Sequence, residues 1–266
     1  MDLAFATQAA PGRVNEDHVV LAPGFAIVLD GVTQPPGLDT GCVHGPSWLV
    51  RALGARLAAA LSDDDAVALD RALAGAIDAV RRRHADTCDL ANPHSPAATV
   101  AIVRERPGFL DYLVLCDSTF AYEDADGITA ISDDRTARLP AYDRAVVARV
   151  RNRPGGFWVA STAPEAAAEA LIGSVPSDSV FRMLVCTDGV TRLVDFFGLG
   201  WPDVFDLVER DGPAAAIRAV RAHETEHPER LQRAGRRFKQ HDDATIVTRE
   251  PAVMQRDRRA AASRRR

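Results

Sequence analysis

Carboxylates stand at the ends of the most apolar runs in this chain of 266 residues. Glu16-Asp17 precede HVVLA, Asp30-Gly31 close FAIVL, Asp188-Gly189 close MLVCT, and Asp242-Asp243 precede ATIVT. A further acid, Asp117, follows VLC. One acid at a strand end is ordinary turn chemistry. Several of them on very apolar strands are a different matter, because the ends of core strands in a sandwich converge. Convergent carboxylates repel one another and lose hydration, a cost that a bound divalent cation removes. With oxygen donors and no His or Cys at metal-binding spacing, the expected ion is hard, Mg²⁺ or Mn²⁺.

Other reactive side chains fit less well. Ser118, Thr119 and Thr191 lie near the acids but have no evident activating base, so they read as structural. The seven histidines (18, 44, 84, 94, 223, 227 and 241) share no face with the acids at ligand spacing. Only His241, next to Asp242, is placed to orient a carboxylate. VLDGVT also suggests a hydrolase with an aspartate nucleophile. That chemistry wants a second acid two residues on, where Val32 stands.

The elements that must position these acids alternate in blocks. LAFATQ and HVVLAPGFAIVLDG read as strands, the latter as a hairpin about a Pro-Gly turn. SWLVRALGARLAAALS and DAVALDRALAGAIDAVRRRHADTC carry apolar residues at helical spacing and predict an antiparallel helix pair joined near Ser62. Asp63 to Asp65 are expected to cap the second helix. Strands return in ATVAIVRER, FLDYLVLCDSTFAYEDADG and ITAISDD, read as a meander. The stretch 134–180 is irregular, with a Pro154-Gly155-Gly156 loop and a helical PEAAAEALIG. After SVFRMLVCTDGV come helices over about 201–224 and a closing strand, DATIVTRE. This order predicts an α+β fold, a β-sandwich of two antiparallel sheets flanked by pairs of antiparallel helices.

Composition sets wider limits. Hydrophobic residues make up 47% and charged residues 26% of the chain, as in a soluble globular protein. No apolar run approaches the roughly 20 residues of a membrane-spanning helix. The N-terminal stretch lacks the pattern of a signal peptide. Four widely spaced cysteines, with no C-x-x-C pair, argue against a zinc ribbon or a disulfide framework and fit a reducing cytoplasm. The net charge of −5 splits into +5 over residues 249–266 and −10 over the rest. Residues 1–250 are therefore expected to form one domain and 251–266 a basic, flexible tail. An acidic body without aromatic residues among the tail arginines makes nucleic acid an unlikely partner.

RVNED, VLDGV, TVAIV, LCDST, VCTDGV and HDDATIV occur in order from Arg13 to about Val247. Together they resemble the metal-dependent protein phosphatases of the PP2C (PPM) family, bacterial type. The resemblance implies a β-sandwich flanked by helix pairs and direct hydrolysis of phosphoserine and phosphothreonine by a metal-activated water. It implies that Asp30 bridges two Mn²⁺ or Mg²⁺ ions and that the Gly31 carbonyl, Glu16 and Asp17 complete the second site. Asp188 and Asp242 would hold the first ion, with Asp242 preferred over Asp243. Asp117, with Asp188, would hold a third, weaker ion. Arg13 resembles the arginine that grips the substrate phosphate. With Asp30 and Asp188 it makes up the expected catalytic set. The implied partner is a phosphoprotein, opposite a Ser/Thr kinase, for a cytoplasmic monomer.

Three departures from the pattern bear on substrate access. Arg13 lies three residues before Glu16 where four is usual, so Arg51, Arg135, Arg151 and Arg153 are alternative phosphate ligands. DGVTQPPG replaces the usual glycine pair, and Cys116-Asp117-Ser118 replaces Gly-Asp-Ser. These leave open a phosphatase of small metabolites or an inactive regulatory relative.

Overall fold

The computed structural model describes residues 1–139, 143–233 and 236–249. The expected tail, 251–266, lies outside the described residues. Two five-stranded sheets carry the fold. One has the order β1 (Leu3–Gln8), β12 (Ala244–Arg249), β9 (Arg182–Cys186), β6 (Thr119–Asp124), β7 (Gly127–Ile131). The other runs β2 (Asp17–Ala22), β3 (Phe25–Gly31), β4 (Ala98–Arg106), β5 (Phe109–Leu115), β8 (Leu171–Pro176). Neighbouring strands pair antiparallel in both. This is the expected α+β sandwich.

The period-2 alternation of strands explains how three apolar cores are built from one sequence. In β3, Ala26 and Val28 point into the sandwich with Ala101, Val103, Val114, Phe120, Val185 and Val247. Phe25, Ile27 and Leu29 point the other way. They meet α1 (Pro46–Asp63) and α2 (Leu69–His84) through Leu49, Leu53, Leu57, Leu73 and Ile77. On the opposite outer face, Leu184, Cys186 and Ile246 pack against α4 (Asp188–Asp195), α5 (Trp201–Asp211) and α6 (Pro213–Glu226). Because both faces of the central strands are covered, they read as unbroken apolar runs. A short α3 (Arg144–Val150) and a small hairpin, β10 (Gln232–Arg233) with β11 (Arg236–Arg237), complete the elements.

Four local expectations are corrected. FLDYLVLCDSTFAYEDADG is no single run of the meander: β5 and β6 lie in different sheets, and the chain crosses the sandwich at Cys116-Asp117-Ser118. PEAAAEALIG is a 3-10 turn over Pro164–Glu169 followed by the edge strand β8, because pairing to β5 overrides the helical propensity of its alanines. Asp63 closes α1, and α2 begins after Ala68 without a side-chain cap, its first-turn acid being Asp70. The cysteines and histidines also fail to stay apart. Cys42, His44, His84 and Cys88 converge, with one ligand atom from each within 4.8 Å of the others.

Candidate metal centre

The acids at the strand ends do meet. Asp17 opens β2 and Asp30 precedes the last residue of β3, and the antiparallel register sets them directly opposite each other. Thr99 of β4 is the next partner of Asp30 along the sheet. The other sheet contributes from across the sandwich. Cys186 ends β9, Thr187 turns the chain, and Asp188 is the first residue of α4 rather than part of a simple turn. Two crossed hydrogen bonds hold that turn to β12, Thr187 N–H to the Thr245 carbonyl (3.0 Å) and Thr245 N–H to Thr187 Oγ1 (3.0 Å). The Thr187 hydroxyl then donates to Asp17 Oδ2 at 3.0 Å, joining the two sheets at the site.

Two glycines permit this closeness. A Cβ on Gly31 would lie 2.6 Å from the Glu16 carbonyl oxygen, and one on Gly189 1.9 Å from that of Asp243. The Gly31 N–H donates to the Glu16 carbonyl at 3.0 Å, which fixes Glu16 beside the end of β3. The Glu16 carboxylate accepts from Thr33 Oγ1 at 2.6 Å. Asp117 follows Cys116, whose φ of 69° is left-handed. That conformation costs a β-carbon residue roughly 1–2 kcal/mol, a cost that glycine would not carry. Asp117 accepts from Thr136 Oγ1 at 3.2 Å.

The adjacent acids Asp242 and Asp243 divide their work. Asp243 has both carboxylate oxygens occupied by backbone amides, those of Ala10 and Glu16, each at 2.7 Å. It thereby pins the loop 10–16 to β12. Asp242 faces the other acids and accepts from Arg192 at 3.0 Å. Arg192, 2% exposed, also bonds Glu224 Oε1 at 2.5 Å and the Gln240 carbonyl at 3.2 Å. His241, which its place beside Asp242 would let orient that acid, instead bonds Glu224 Oε2 at 2.7 Å. Lys239 pairs with Asp242 Oδ1 and donates to Thr33 Oγ1 at 2.9 Å. Arg192, Glu224, Lys239 and Thr33 were not legible as site residues. No spacing links Arg192 or Glu224 to Asp242, and contact across 206 residues joins Lys239 to Thr33.

Arg13 is exposed on the loop that Asp243 pins and, among the described residues, makes no hydrogen bond or ion pair to the acids. Of the alternative arginines, Arg135 is held by Asp133 and Glu169, and Arg151 donates to the Ser95 carbonyl at 2.9 Å.

Electrostatics records the cost of this convergence. Burial pushes the Asp30 carboxyl well above the usual range, and Asp17, Asp188, Asp242 and Asp117 add to it. Burial likewise raises Asp17, against hydrogen bonds from Thr245 and Thr187. Asp188 is pushed up to about 7 by burial and by Asp242 and Asp117. Burial alone would lower Lys239, but Asp242, Asp188 and Asp30 outweigh it and raise it. Asp17 Oδ1 is buried with no hydrogen-bond partner. An orphaned carboxylate oxygen among mutually repelling acids fits a divalent cation, and the all-oxygen donor set fits a hard one.

The family model for protein phosphatase 2C matches residues 12–220. The chain belongs to this family. Solved structures of bacterial PPM phosphatases share its fold at low identity. The Mycobacterium tuberculosis serine/threonine phosphatase PstP superposes with a TM-score of 0.59 at 16% identity, covering 92% of this chain and 96% of that one. Staphylococcus aureus Stp1 gives 0.62 at 11%, covering 92% and 93%. The PPM Ser-Thr phosphatase MsPP from Mycobacterium smegmatis, in complex with cacodylate, gives 0.59 at 17%, covering 95% and 99%. The PstP catalytic domain is also known in complex with two manganese ions. No curated protein matches the chain. Among the described residues no helix is long and apolar enough to cross a membrane.

Proposed function

We propose that this PP2C-family protein is a metal-dependent phosphomonoesterase acting on phosphoserine and phosphothreonine of proteins. The observation that carries this reading is the orphaned, buried Asp17 Oδ1 within a cluster of acids whose carboxyls are pushed up together. Asp30 would be the ligand shared by two ions. Asp188 and Asp242 would complete one set, and Asp17, Glu16 and the Gly31 carbonyl the other, with Asp117 beside Asp188 for a weaker third. Bound Mn²⁺ or Mg²⁺ supplies an activated water and offsets charge on the phosphoryl oxygens. The PstP complex with two manganese ions supports that choice of metal.

The chain's own residues do the positioning. Thr187 and Thr33 hold Asp17 and Glu16 by hydrogen bonds, so these carboxylates are set before an ion arrives. Arg192 fixes the rotamer of Asp242, backed by Glu224, which Arg221 also bonds at 2.8 Å. Arg13, exposed on the pinned loop, is free to reach an incoming phosphate from the solvent side. The names of the bacterial neighbours as serine/threonine phosphatases support a phosphoprotein substrate, which a Ser/Thr kinase would supply.

The test is hydrolysis of p-nitrophenyl phosphate and of a phosphothreonine peptide, with Mn²⁺ supplied or chelated. Turnover of both, dependent on Mn²⁺ and lost in Asp30→Asn and Asp188→Asn, is expected. Turnover of phosphorylated metabolites but not of the peptide would move the substrate class. No turnover with Mn²⁺ still bound would overturn catalysis in favour of a regulatory role.

A further inference from the structure

We propose that Cys42, His44, His84 and Cys88 form a structural zinc site, separate in place and chemistry from the acidic centre. Cys42 and His44 end the loop that leaves Gly31 and stand just before α1. His84 is the last residue of α2, and Cys88 follows four residues on. His44 and His84 both present Nδ1. Cys42 Sγ lies 3.6 Å from His44 Nδ1 and 3.4 Å from His84 Nδ1, and Cys88 Sγ lies 3.5 Å from His44 Nδ1. A tetrahedron with Zn–S of about 2.3 Å and Zn–N of about 2.0 Å has S···N edges of about 3.5 Å. Three of the four S···N edges, at 3.4, 3.5 and 3.6 Å, match it.

The two sulfurs are 2.7 Å apart, both cysteines being free thiols. A pair of thiolates sharing one Zn²⁺ stands about 3.8 Å apart. Opening the pair by about 1 Å is small for two partly exposed side chains. Four protein ligands close the coordination sphere, which marks a structural rather than a catalytic zinc. Two thiolates neutralise the ion, and any thiol still protonated gives up its proton on binding. Soft sulfur donors select zinc here, while the all-oxygen cluster selects a hard ion. The two sites therefore do not compete for one metal.

The surroundings are built to hold this geometry. The ring of His44 stacks on Trp48 with centroids 3.9 Å apart, and Trp48 also meets the ring of His84 at 5.2 Å. His84 is only 3% exposed. The two ligand-bearing segments are joined beside the site, where the Asp89 N–H donates to the Gly41 carbonyl at 2.7 Å. Gly41 has a φ of +64°, and a Cβ there would lie 2.9 Å from Asn92 Cβ. Both the left-handed turn and the close approach require glycine immediately before the first ligand. The consequence is mechanical. Zinc would tie the start of α1 to the end of α2 and anchor the far end of the loop 32–45, whose near end leaves β3 at Gly31.

The test is metal analysis of the full chain purified without chelator, together with the absorption spectrum after Co²⁺ exchange. One zinc per chain is expected in the native protein and equally in Asp30→Asn, with the intense bands of tetrahedral, thiolate-bound Co²⁺. The double variant Cys42→Ser with Cys88→Ser should lose both. Should that variant not fold, the Co²⁺ spectrum and thiol count of the native protein decide alone. Folded native protein with reactive thiols, no zinc and no cobalt–thiolate band would overturn the proposal. So would a mass two hydrogens lower under non-reducing conditions, which would mean a Cys42–Cys88 disulfide instead. None of these readouts uses phosphatase activity, so the zinc site and the proposed function stand or fall separately.

Discussion

Replacing Asp188 by Asn should stabilise the metal-free protein above neutral pH while abolishing its response to Mn²⁺. Asp188 sits with Asp242 and Asp117, and burial with these neighbours moves its carboxyl from 3.8 to about 7. The unfolded chain ionises this group near its ordinary value, whereas the folded chain keeps it protonated until about pH 7. Between those values the unfolded state has released a proton that the folded state retains, so rising pH costs stability and the cost is complete above pH 7. At 1.36 kcal/mol per unit the ceiling is about 4 kcal/mol. Partial exposure and the shared titration of the acids reduce the expected effect to about 2 kcal/mol. For a chain of this size that is a rise in Tm on the order of 5 °C. The assay is thermal unfolding of chelator-treated native and Asp188→Asn protein between pH 4 and pH 8. The variant's advantage should be full at pH 8 and shrink steadily towards pH 4. Added Mn²⁺ should then raise the native Tm and reverse the order. A variant that melts below the native protein at pH 8 without metal, or that gains as much from Mn²⁺, would refute the reasoning.

Further outcomes concern the groups around the centre. Arg192→Met strips Glu224 and Asp242 of a buried partner, but Arg221 and His241 still reach Glu224. A loss of about 3 kcal/mol in urea unfolding is expected, with a higher Mn²⁺ requirement for activity. Gly31→Ala sets a methyl 2.6 Å from the Glu16 carbonyl and should cost about 1–3 kcal/mol, with a larger fall in kcat than in stability would suggest. Lys239→Met removes a cation that pairs with Asp242, so metal titration should show tighter Mn²⁺ binding and a lower apoprotein Tm. Far from the centre, burial raises the Asp111 carboxyl, but bonds from Arg106 and Arg104 outweigh this and bring it down to about 2. Its contribution is present above pH 4 and lost as pH falls towards 2. Asp111→Asn should therefore cost about 2 kcal/mol at pH 7 and almost nothing at pH 2.

How much of this was legible in the sequence follows from what each signal depends on. The strands bearing the acids were readable because both their faces are buried, so FAIVL and MLVC are unbroken apolar runs bounded by carboxylates. The helix pair was readable from its 3.6-residue period. Asp188-Gly189 reads in the sequence only as the close of the strand MLVCT. In the structure it starts α4, where the acid sits at a helix N-terminus and the glycine lets Asp243 approach. LIGSVP hid behind alanines, since an exposed edge strand carries no buried alternation and its partner β5 lies about 60 residues earlier. The Cys/His cluster was invisible for the same reason. Its ligands come as two pairs whose contacts span 42 and 44 residues, brought together by the antiparallel return of α2 on α1. Asp242 could be chosen over Asp243 only by resemblance; the amides of Ala10 and Glu16 supply the physical reason.

The central claim is that Asp30 bridges two ions, and electron paramagnetic resonance of the Mn²⁺-loaded protein tests it most directly. The account predicts the spectrum of an exchange-coupled manganese pair in the native protein, replaced in Asp30→Asn by signals of isolated, weakly held ions. A native spectrum of uncoupled Mn²⁺ at saturation, or coupling that survives Asp30→Asn, would contradict it.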